Sequence, residues 1–228
     1  MTYSPAIYDW RPEVQPIDQF FRAGGVSVQG GMTLGGVSVE NPEPGGRGEL
    51  LFRFPMLALA SANLSASWTL SRILNGAIMR IPLYSPCVQL IADAALGVTP
   101  GITWAGGYTW AGGIKWRFDP FALTTVAALK GAASVKVNMA ALGRVADIGH
   151  LIGFGDVTHA IMDISYTAGN VATIAISPPL RKAQPVNSRC RFRPSMVATC
   201  TNARDVADNF RNGRNMALNP ARFVEAIL

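Results

Sequence analysis

The sequence predicts a mainly β protein with one α-helix and extended segments at both ends. Short β-branched stretches recur between turn residues, because 23 of the 228 residues are glycine and 15 are proline. One stretch near residue 70 has the spacing of an amphipathic helix. Prolines at positions 5, 12 and 16 favour an extended arm over residues 1–22. Together these patterns indicate a β protein with few helices.

The first predicted strands surround a short repeat. The sequence GGVSV occurs at residues 24–28 and again at 35–39, which predicts a glycine-punctuated hairpin. A loop over residues 41–48 and a strand over residues 49–54 follow, and Pro55 ends that strand.

The predicted helix comes next, between two strands. Its apolar residues recur at i, i+4, i+7 and i+8 and share one face, namely Ala66, Leu70, Ile73 and Leu74. Ser61 or Asn63 is expected to cap its start, and Gly76 is expected as the left-handed residue after its end. AIMRIPLY then predicts a return strand, and a second short helix is predicted over residues 88–96.

A tryptophan-rich segment follows. Trp104, Tyr108, Trp110 and Trp116 all have even numbers, so one long strand would place them on one face. We expect this face to lie in a core or a subunit interface, where large aromatic residues are common. The alternative is a carbohydrate-binding surface on which the tryptophans stack against sugar rings.

The C-terminal half predicts further strands. VAALKGAASVKVNMAALGRV indicates a short helix and a strand, and VTHAIMDISYTAGNVATIAI indicates two strands around a Thr-Ala-Gly-Asn turn. The prolines that follow are expected to end the second of these strands.

Both histidines lie in GHLIGFGDVTH, residues 149–159. His150 and His159 with Asp156 resemble a base and its orienting groups, but no GxSxG elbow or cysteine in a recognisable context supplies a nucleophile. The glycines lack the lysine of a Walker loop, and two histidines nine residues apart are no standard metal spacing. We therefore predict a strand through His150 and Ile152, a turn over residues 153–156 and a strand from Val157, with no catalytic, cofactor or metal site.

Composition narrows the function class. Charged residues make up only 15% of the chain, which favours a surface covered by partners, although a glycine-rich β protein of modest solubility fits equally well. The net charge of +6 permits nucleic-acid contact, and Phe192 and Phe210 stand beside arginines as base-stacking residues would. Because the basic residues form no continuous run, no specific nucleic-acid partner is predicted.

Cysteine usage and hydropathy bear on the compartment. The three cysteines form no CxxC pair, so neither a disulfide framework nor a zinc site is indicated, and free thiols fit a reducing compartment. No signal-peptide pattern and no stretch of about 18 apolar residues is found. Membrane insertion is not expected.

GHLIGFGDVTHAIMDISYTAGNVATIAISPPLR resembles a segment shared by minor tail proteins of long-tailed bacteriophages. The residues that carry the resemblance are Gly149, His150, Ile152, Pro178, Pro179, Leu180 and Arg181. GELLFRFPMLALASANLSASWTLSRILNGAIMRIPLY is similar to the strand, helix and return strand of the same proteins, and RCRFRP fits a further strand. The matches span residues 49–194.

The resemblance implies an antiparallel β-sandwich or barrel of the phage tail-tube type with one flanking helix. It also implies a distal tail protein, a ring of six copies that joins the tail tube to the hub or tip. The expected partners are other copies of the chain, the tail tube protein, and hub, tip and tape-measure proteins. Such a protein resides in the virion after assembly in the bacterial cytoplasm, needs no cofactor and is not an enzyme.

This interpretation divides the chain into an N-terminal arm at 1–22, a β domain at 23–200 and a C-terminal arm at 201–228. Tyr8, Trp10, Phe223 and Val224 are predicted to reach neighbouring subunits. Because only 34 residues follow Pro194, a version with the ring alone is expected. A tail-tube or tube-terminator subunit of the same fold and a carbohydrate- or receptor-binding module remain the alternatives.

Overall fold

The chain folds into two units. The computed structural model describes residues 6–24, 27–32, 38–42, 46–57, 59–83, 120–140, 142, 146–167, 170–207 and 216–226. One unit combines residues Met1–Pro82 with Ser195–Leu228, and the other is Leu83–Pro194. We call them the sheet unit and the barrel unit. Both are built mainly from β-strands, as the sequence predicts.

A six-stranded mixed sheet forms the centre of the sheet unit. Its strands are β1 (Ile7–Asp9), β2 (Asp18–Arg22), β5 (Glu49–Arg53), β6 (Ile78–Pro82), β13 (Ser195–Cys200) and β14 (Ala221–Glu225). They lie in the order β1-β6-β13-β14-β5-β2. Only β1 and β6 run parallel, while the other neighbours are antiparallel. In addition, β3 (Ser27–Met32) and β4 (Ser38–Pro42) form the predicted antiparallel hairpin.

The sheet unit also contains two helices. α1 (Ala60–Leu74) connects β5 to β6, and α2 (Ala203–Ala207) is short. Ala66, Leu70 and Ile73 are buried as their spacing predicts, whereas Leu74 is 48% exposed. Gly76 follows the helix at φ +70°, which confirms its predicted role as the left-handed residue.

The start of α1 differs from the prediction. Its N-cap residue is Leu59, which makes no side-chain capping hydrogen bond, and Ser61 lies inside the helix. The helix therefore begins before both predicted caps. Ala62 is buried on the same face as Ala66. The first turn of α1 is therefore stabilised by packing and not by a side-chain cap.

Six strands close into a barrel in the barrel unit. They are β7 (Phe121–Thr124), β8 (Ser134–Asn138), β9 (Leu151–Phe154), β10 (Val157–Tyr166), β11 (Val171–Ser177) and β12 (Arg189–Arg191). The closed order is β10-β11-β8-β7-β12-β9. Its interior contains alternate residues of each strand, such as Val135 and Val137 on β8 and Ile174 and Ile176 on β11. A closed sheet has no free edge strand.

The turns of the barrel confirm the patterns that predicted them. Gly155 and Asp156 connect β9 to β10, and Gly155 adopts φ +63°, a conformation that favours glycine. Residues 167–170 connect β10 to β11, and β11 ends at Ser177 before two prolines. The segment before β8 forms no helix over residues 126–133, in contrast to the helix-then-strand prediction.

Along the chain, the barrel unit lies between β6 and β13, which are neighbouring strands of the sheet. β6 ends at Pro82 and β13 begins at Ser195, and these two residues are paired across the sheet. The backbone N–H of Leu83 donates to the carbonyl of Pro194 at 2.9 Å, so the chain leaves the sheet unit and returns to it at one point. This division differs from the single β domain that the sequence predicts over residues 23–200.

The described parts of the predicted terminal arms contribute strands to the six-stranded sheet. β1 and β2 come from residues 1–22, and β14 comes from residues 201–228. β14 is an internal strand between β13 and β5. Buried and less buried residues alternate in ELLFR, DQFFR and ARFVE, which is typical of strands with one buried face. Near the N-terminus, the prolines favoured an extended arm over a strand in the sequence prediction.

Candidate functional site

Two large apolar side chains are exposed at the edge strand β2, one on the strand and one on the residue before it. β2 lies at one end of the described sheet and β1 at the other. Ile17 is 70% exposed and Phe20 is 59% exposed. An exposed strand edge with large apolar side chains favours pairing with another chain. We define Ile17, Phe20 and β2 as the edge surface.

Ion pairs surround the apolar residues of the edge surface. Asp18 lies 3.7 Å from Arg53, and Arg22 lies 3.8 Å from Glu49. All four side chains are more than half exposed, so each pair contributes roughly 0–1 kcal/mol to stability. Charged residues on the rim of an interface select the register of the partner strand, and these ion pairs are placed to do so at the edge surface.

A shallow groove of about 380 Å³ continues from the edge surface across the outer face of the sheet. Phe20, Leu51 and Val224 form its apolar wall, and Arg222 and Thr201 supply polar groups. Val224 lines this groove, and its predicted contact with a neighbouring subunit stays a prediction. The position differs from the prediction, because Val224 belongs to an internal strand.

Tyr8, the second predicted contact residue, packs within its own unit. Its ring meets Trp68 of α1 edge-to-face at a centroid distance of 6.1 Å, and the guanidinium of Arg72 lies 4.5 Å from the Tyr8 ring centroid. Arg11 lies over Trp68 at 4.4 Å. These stacked cations and rings attach β1 to the helix, which is an intramolecular role.

Trp10 and Phe223 form the aromatic core of the sheet unit. Trp10 is 8% exposed and Phe223 is fully buried. The Trp10 ring lies 5.5 Å from Phe52, 6.2 Å from Phe54 and 5.6 Å from Phe223 between centroids. Its indole N–H donates to the carbonyl of Val14 at 2.8 Å. The sequence predicts that Trp10 and Phe223 reach neighbouring subunits, whereas in the structure both rings are enclosed in the core of their own unit.

The histidine segment forms part of the barrel wall. His150 precedes β9, and His159 lies on β10 opposite Ile152. His150 is 6% exposed and His159 is fully buried. Asp156 lies in the turn between the strands. The order of strand, turn and strand is confirmed with different bounds: β9 begins after His150 and continues to Phe154, so the turn is only Gly155 and Asp156.

The two histidines have opposite hydrogen-bonding roles. Nδ1 of His150 accepts the backbone N–H of Asp147 at 3.0 Å, so this nitrogen carries no proton. Burial lowers the pKa of His150, and the nearby carboxylate of Asp147 opposes that shift in part. Nδ1 of His159 lies 2.6 Å from the carbonyl of Pro178. Since a carbonyl only accepts, this Nδ1 must donate.

The residues that carry the resemblance to phage tail proteins lie near the contact between His159 and Pro178. His159 connects β10 to Pro178, and two backbone hydrogen bonds connect Leu180 to the segment before β8. Ile152 and Leu180 are buried in the barrel core. Gly149 has φ +86°, which places the left-handed residue just before His150. Pro179 and Arg181 flank Leu180 and are half-buried. These motif residues therefore contribute packing and backbone hydrogen bonds to the barrel.

The described cysteines lie in environments that suppress the thiolate. Cys190 is fully enclosed in the barrel core, and burial raises its pKa. Burial also raises the pKa of Cys200, while hydrogen bonds from Asn202 and Arg222 act in the opposite direction. Neither thiol has the depressed pKa of a reactive cysteine.

Several sequence predictions fall outside the described residues. These are the tryptophan-rich strand with Trp104, Tyr108, Trp110 and Trp116, the helix predicted over residues 88–96, and Phe210. Within the described ranges, no three histidine, cysteine or acidic side chains converge as metal ligands. In the same part of the chain, no helix has the length and apolar character needed to cross a membrane.

Sequence reasoning missed the edge surface. Asp18, Phe20 and Arg22 share one parity, and Gln19 and Phe21 share the other; this alternation was the available signal. Comparison with known proteins adds no assignment: no protein-family model matches the sequence, and no curated protein is detectably similar to it.

Proposed function

We propose that this chain is a structural subunit of a phage tail, namely the distal tail ring that joins the tail tube to the hub or tip. The observation that carries the proposal is the edge surface, with Ile17 and Phe20 exposed beside paired charges. A subunit that assembles needs such a surface. The resemblance of residues 49–194 to minor tail proteins supports a phage tail as the assembly. The proposal includes the fold, which would be of the tail-tube type that the resemblance implies.

The two ends of the open sheet suit a ring. β2 ends the sheet on one side and β1 on the other, so β2 of one copy can pair with β1 of the next. Such a head-to-tail contact uses two different surfaces and closes when the rotation between copies completes a circle. Six copies follow from the resemblance. Tail tube, hub, tip and tape-measure proteins are then the partners above and below the ring.

Light scattering combined with negative-stain imaging of the purified protein tests the proposal. We expect closed six-fold rings whose mass stays constant as protein concentration rises. Tubes that lengthen with concentration would favour a tail-tube subunit. A monomer that binds host glycans through the tryptophan segment would favour the carbohydrate-binding alternative.

Matched variants test the edge surface itself. Phe20→Lys places a charge on the exposed strand edge, a substitution that natural edge strands use to block pairing. Leu64→Lys is the control, because Leu64 is 74% exposed on α1. We expect Phe20→Lys to give monomers with an unchanged circular dichroism spectrum and Leu64→Lys to assemble normally. Rings that persist in Phe20→Lys would refute the edge surface as the contact.

A further inference from the structure

The positive charge of the chain is concentrated in the barrel unit. Leu83–Pro194 contains ten lysines and arginines against five aspartates and glutamates, a net charge of +5, whereas the rest of the chain contains ten against nine, a net charge of +1. Almost the whole formal charge of +6 therefore belongs to one unit. An asymmetry of this size predicts contact with an anionic partner.

Within the barrel, one wall carries basic residues and no carboxylate. None of the sequences of β7, β8, β9 and β12 contains aspartate or glutamate. The described carboxylates of this unit are Asp147 before β9, Asp156 in the β9–β10 turn and Asp163 on β10. We define the outward-facing residues of β8, β7 and β12 as the basic wall.

The strand register places the basic wall in rows. Asn138, Leu123 and Arg189 lie opposite one another on the three strands. Lys136 lies two residues before Asn138 on the same exposed face of β8, and Arg191 lies opposite Phe121. Arg189 and Lys136 are both exposed. Lys136 on β8 and Arg189 and Arg191 on β12 thus lie on the outer face of the wall, on either side of β7.

Arg189 also lies over an aromatic ring. Its guanidinium carbon is 4.9 Å from the centroid of Phe121. A guanidinium supported in this way keeps its outer plane available for a nucleobase and its N–H groups available for phosphate oxygens. Phe192, which the sequence places among arginines as a stacking candidate, is fully buried. Phe121 supplies the aromatic platform that Phe192 cannot supply.

We propose that the basic wall binds single-stranded nucleic acid without sequence preference. Lys136 and Arg189 contact phosphates, Arg191 extends their row, and a base stacks on the Arg189–Phe121 pair. The stacking pair favours nucleic acid over an acidic polysaccharide or a polymer of acidic residues, because neither sugar rings nor carboxylate side chains offer an aromatic face to it. The proposal does not depend on ring formation, since all of these residues belong to one barrel.

Fluorescence anisotropy of the full chain with a labelled thymidine oligomer tests the proposal. Affinity should fall as salt rises, with a slope of roughly −0.7 in log K against log salt for each phosphate contacted. Lys136→Gln and Arg189→Gln should each reduce that slope by roughly 0.7. Arg204→Gln, an exposed arginine of α2 in the sheet unit, removes the same charge and should leave the slope unchanged.

Two further measurements separate the alternatives. Arg189→Lys keeps the charge but not the planar guanidinium, so it should weaken binding of the thymidine oligomer and preserve the salt slope. Polyglutamate at equal charge concentration should compete poorly. Equal competition by polyglutamate, no salt-dependent binding at all, or equal losses in Arg204→Gln and Arg189→Gln would each overturn the proposal. Circular dichroism of every variant confirms that the fold is retained.

Discussion

Replacing Trp10 by alanine should strongly destabilise the sheet unit. The Trp10 ring contacts Phe52, Phe54 and Phe223 at centroid distances of 5.5–6.2 Å and is 8% exposed. Truncation of a buried aromatic residue to alanine costs about 3–5 kcal/mol. The lost hydrogen bond to Val14, which is 2.8 Å long, is part of that cost at roughly 1 kcal/mol. The whole effect arises within a single copy of the chain.

Urea unfolding followed by circular dichroism measures this effect. Trp10→Phe keeps an aromatic ring and loses the hydrogen bond, so it should cost about 1–2 kcal/mol. Trp68→Ala is the matched control, because Trp68 is only half-buried, against Tyr8 and Arg11, and should cost less than Trp10→Ala. The losses should be the same at low and high protein concentration, since an intramolecular core does not depend on assembly.

The opposite result would restore the arm interpretation. If Trp10→Ala left the free energy of unfolding at low concentration within about 1 kcal/mol of the wild type and only prevented assembly, Trp10 would act between subunits. The described packing of Trp10 would then not represent the isolated chain.

Four further predictions follow from the structure. Burial holds the pKa of His150 below its ordinary value of 6.5, so the folded state binds fewer protons than the unfolded state. The stability from this group is present above pH 6.5 and is lost as pH falls. The free energies of unfolding at pH 5 and pH 7 should therefore differ less in His150→Asn than in the wild type. Cys190, fully buried with a raised pKa, should resist alkylation until the protein unfolds, and mass spectrometry of labelled peptides would show any modification of the native state that contradicts this. Gly153→Ala places a methyl group 2.6 Å from a proline side chain and should lower stability by about 1–3 kcal/mol in thermal unfolding; an unchanged melting temperature would mean that the proline moves aside freely. Replacing Leu83–Pro194 by Asn-Gly should leave a folded sheet unit, because the flanking residues are strand neighbours and Asn-Gly closes two-residue hairpins; loss of its circular dichroism spectrum would show that the units do not fold independently.

Local patterns in the sequence predicted much of the secondary structure. Period-two alternation and turn residues predicted β10 and β11 nearly to their ends and the presence of β9 with different bounds, and the i, i+4, i+7 spacing predicted most of α1. These features depend on residues within about ten positions of one another, where backbone geometry fixes which side chains share a face. The absence of a catalytic site is a prediction from the same patterns.

The roles of the termini were decided only by the tertiary structure. β14 pairs with β5 although the two strands are separated by most of the chain, and β13 pairs with β6 across the whole barrel insertion. No local spacing specifies such partners, because pairing over long loops depends on total burial and not on neighbouring residues. For this reason Trp10 and Phe223, which read as contacts between subunits in sequence, are core residues in the fold, while Phe20 lies exposed at the edge. The sequence by itself determined where strands and turns occur, and tertiary pairing decided which aromatic residues remain accessible to a partner.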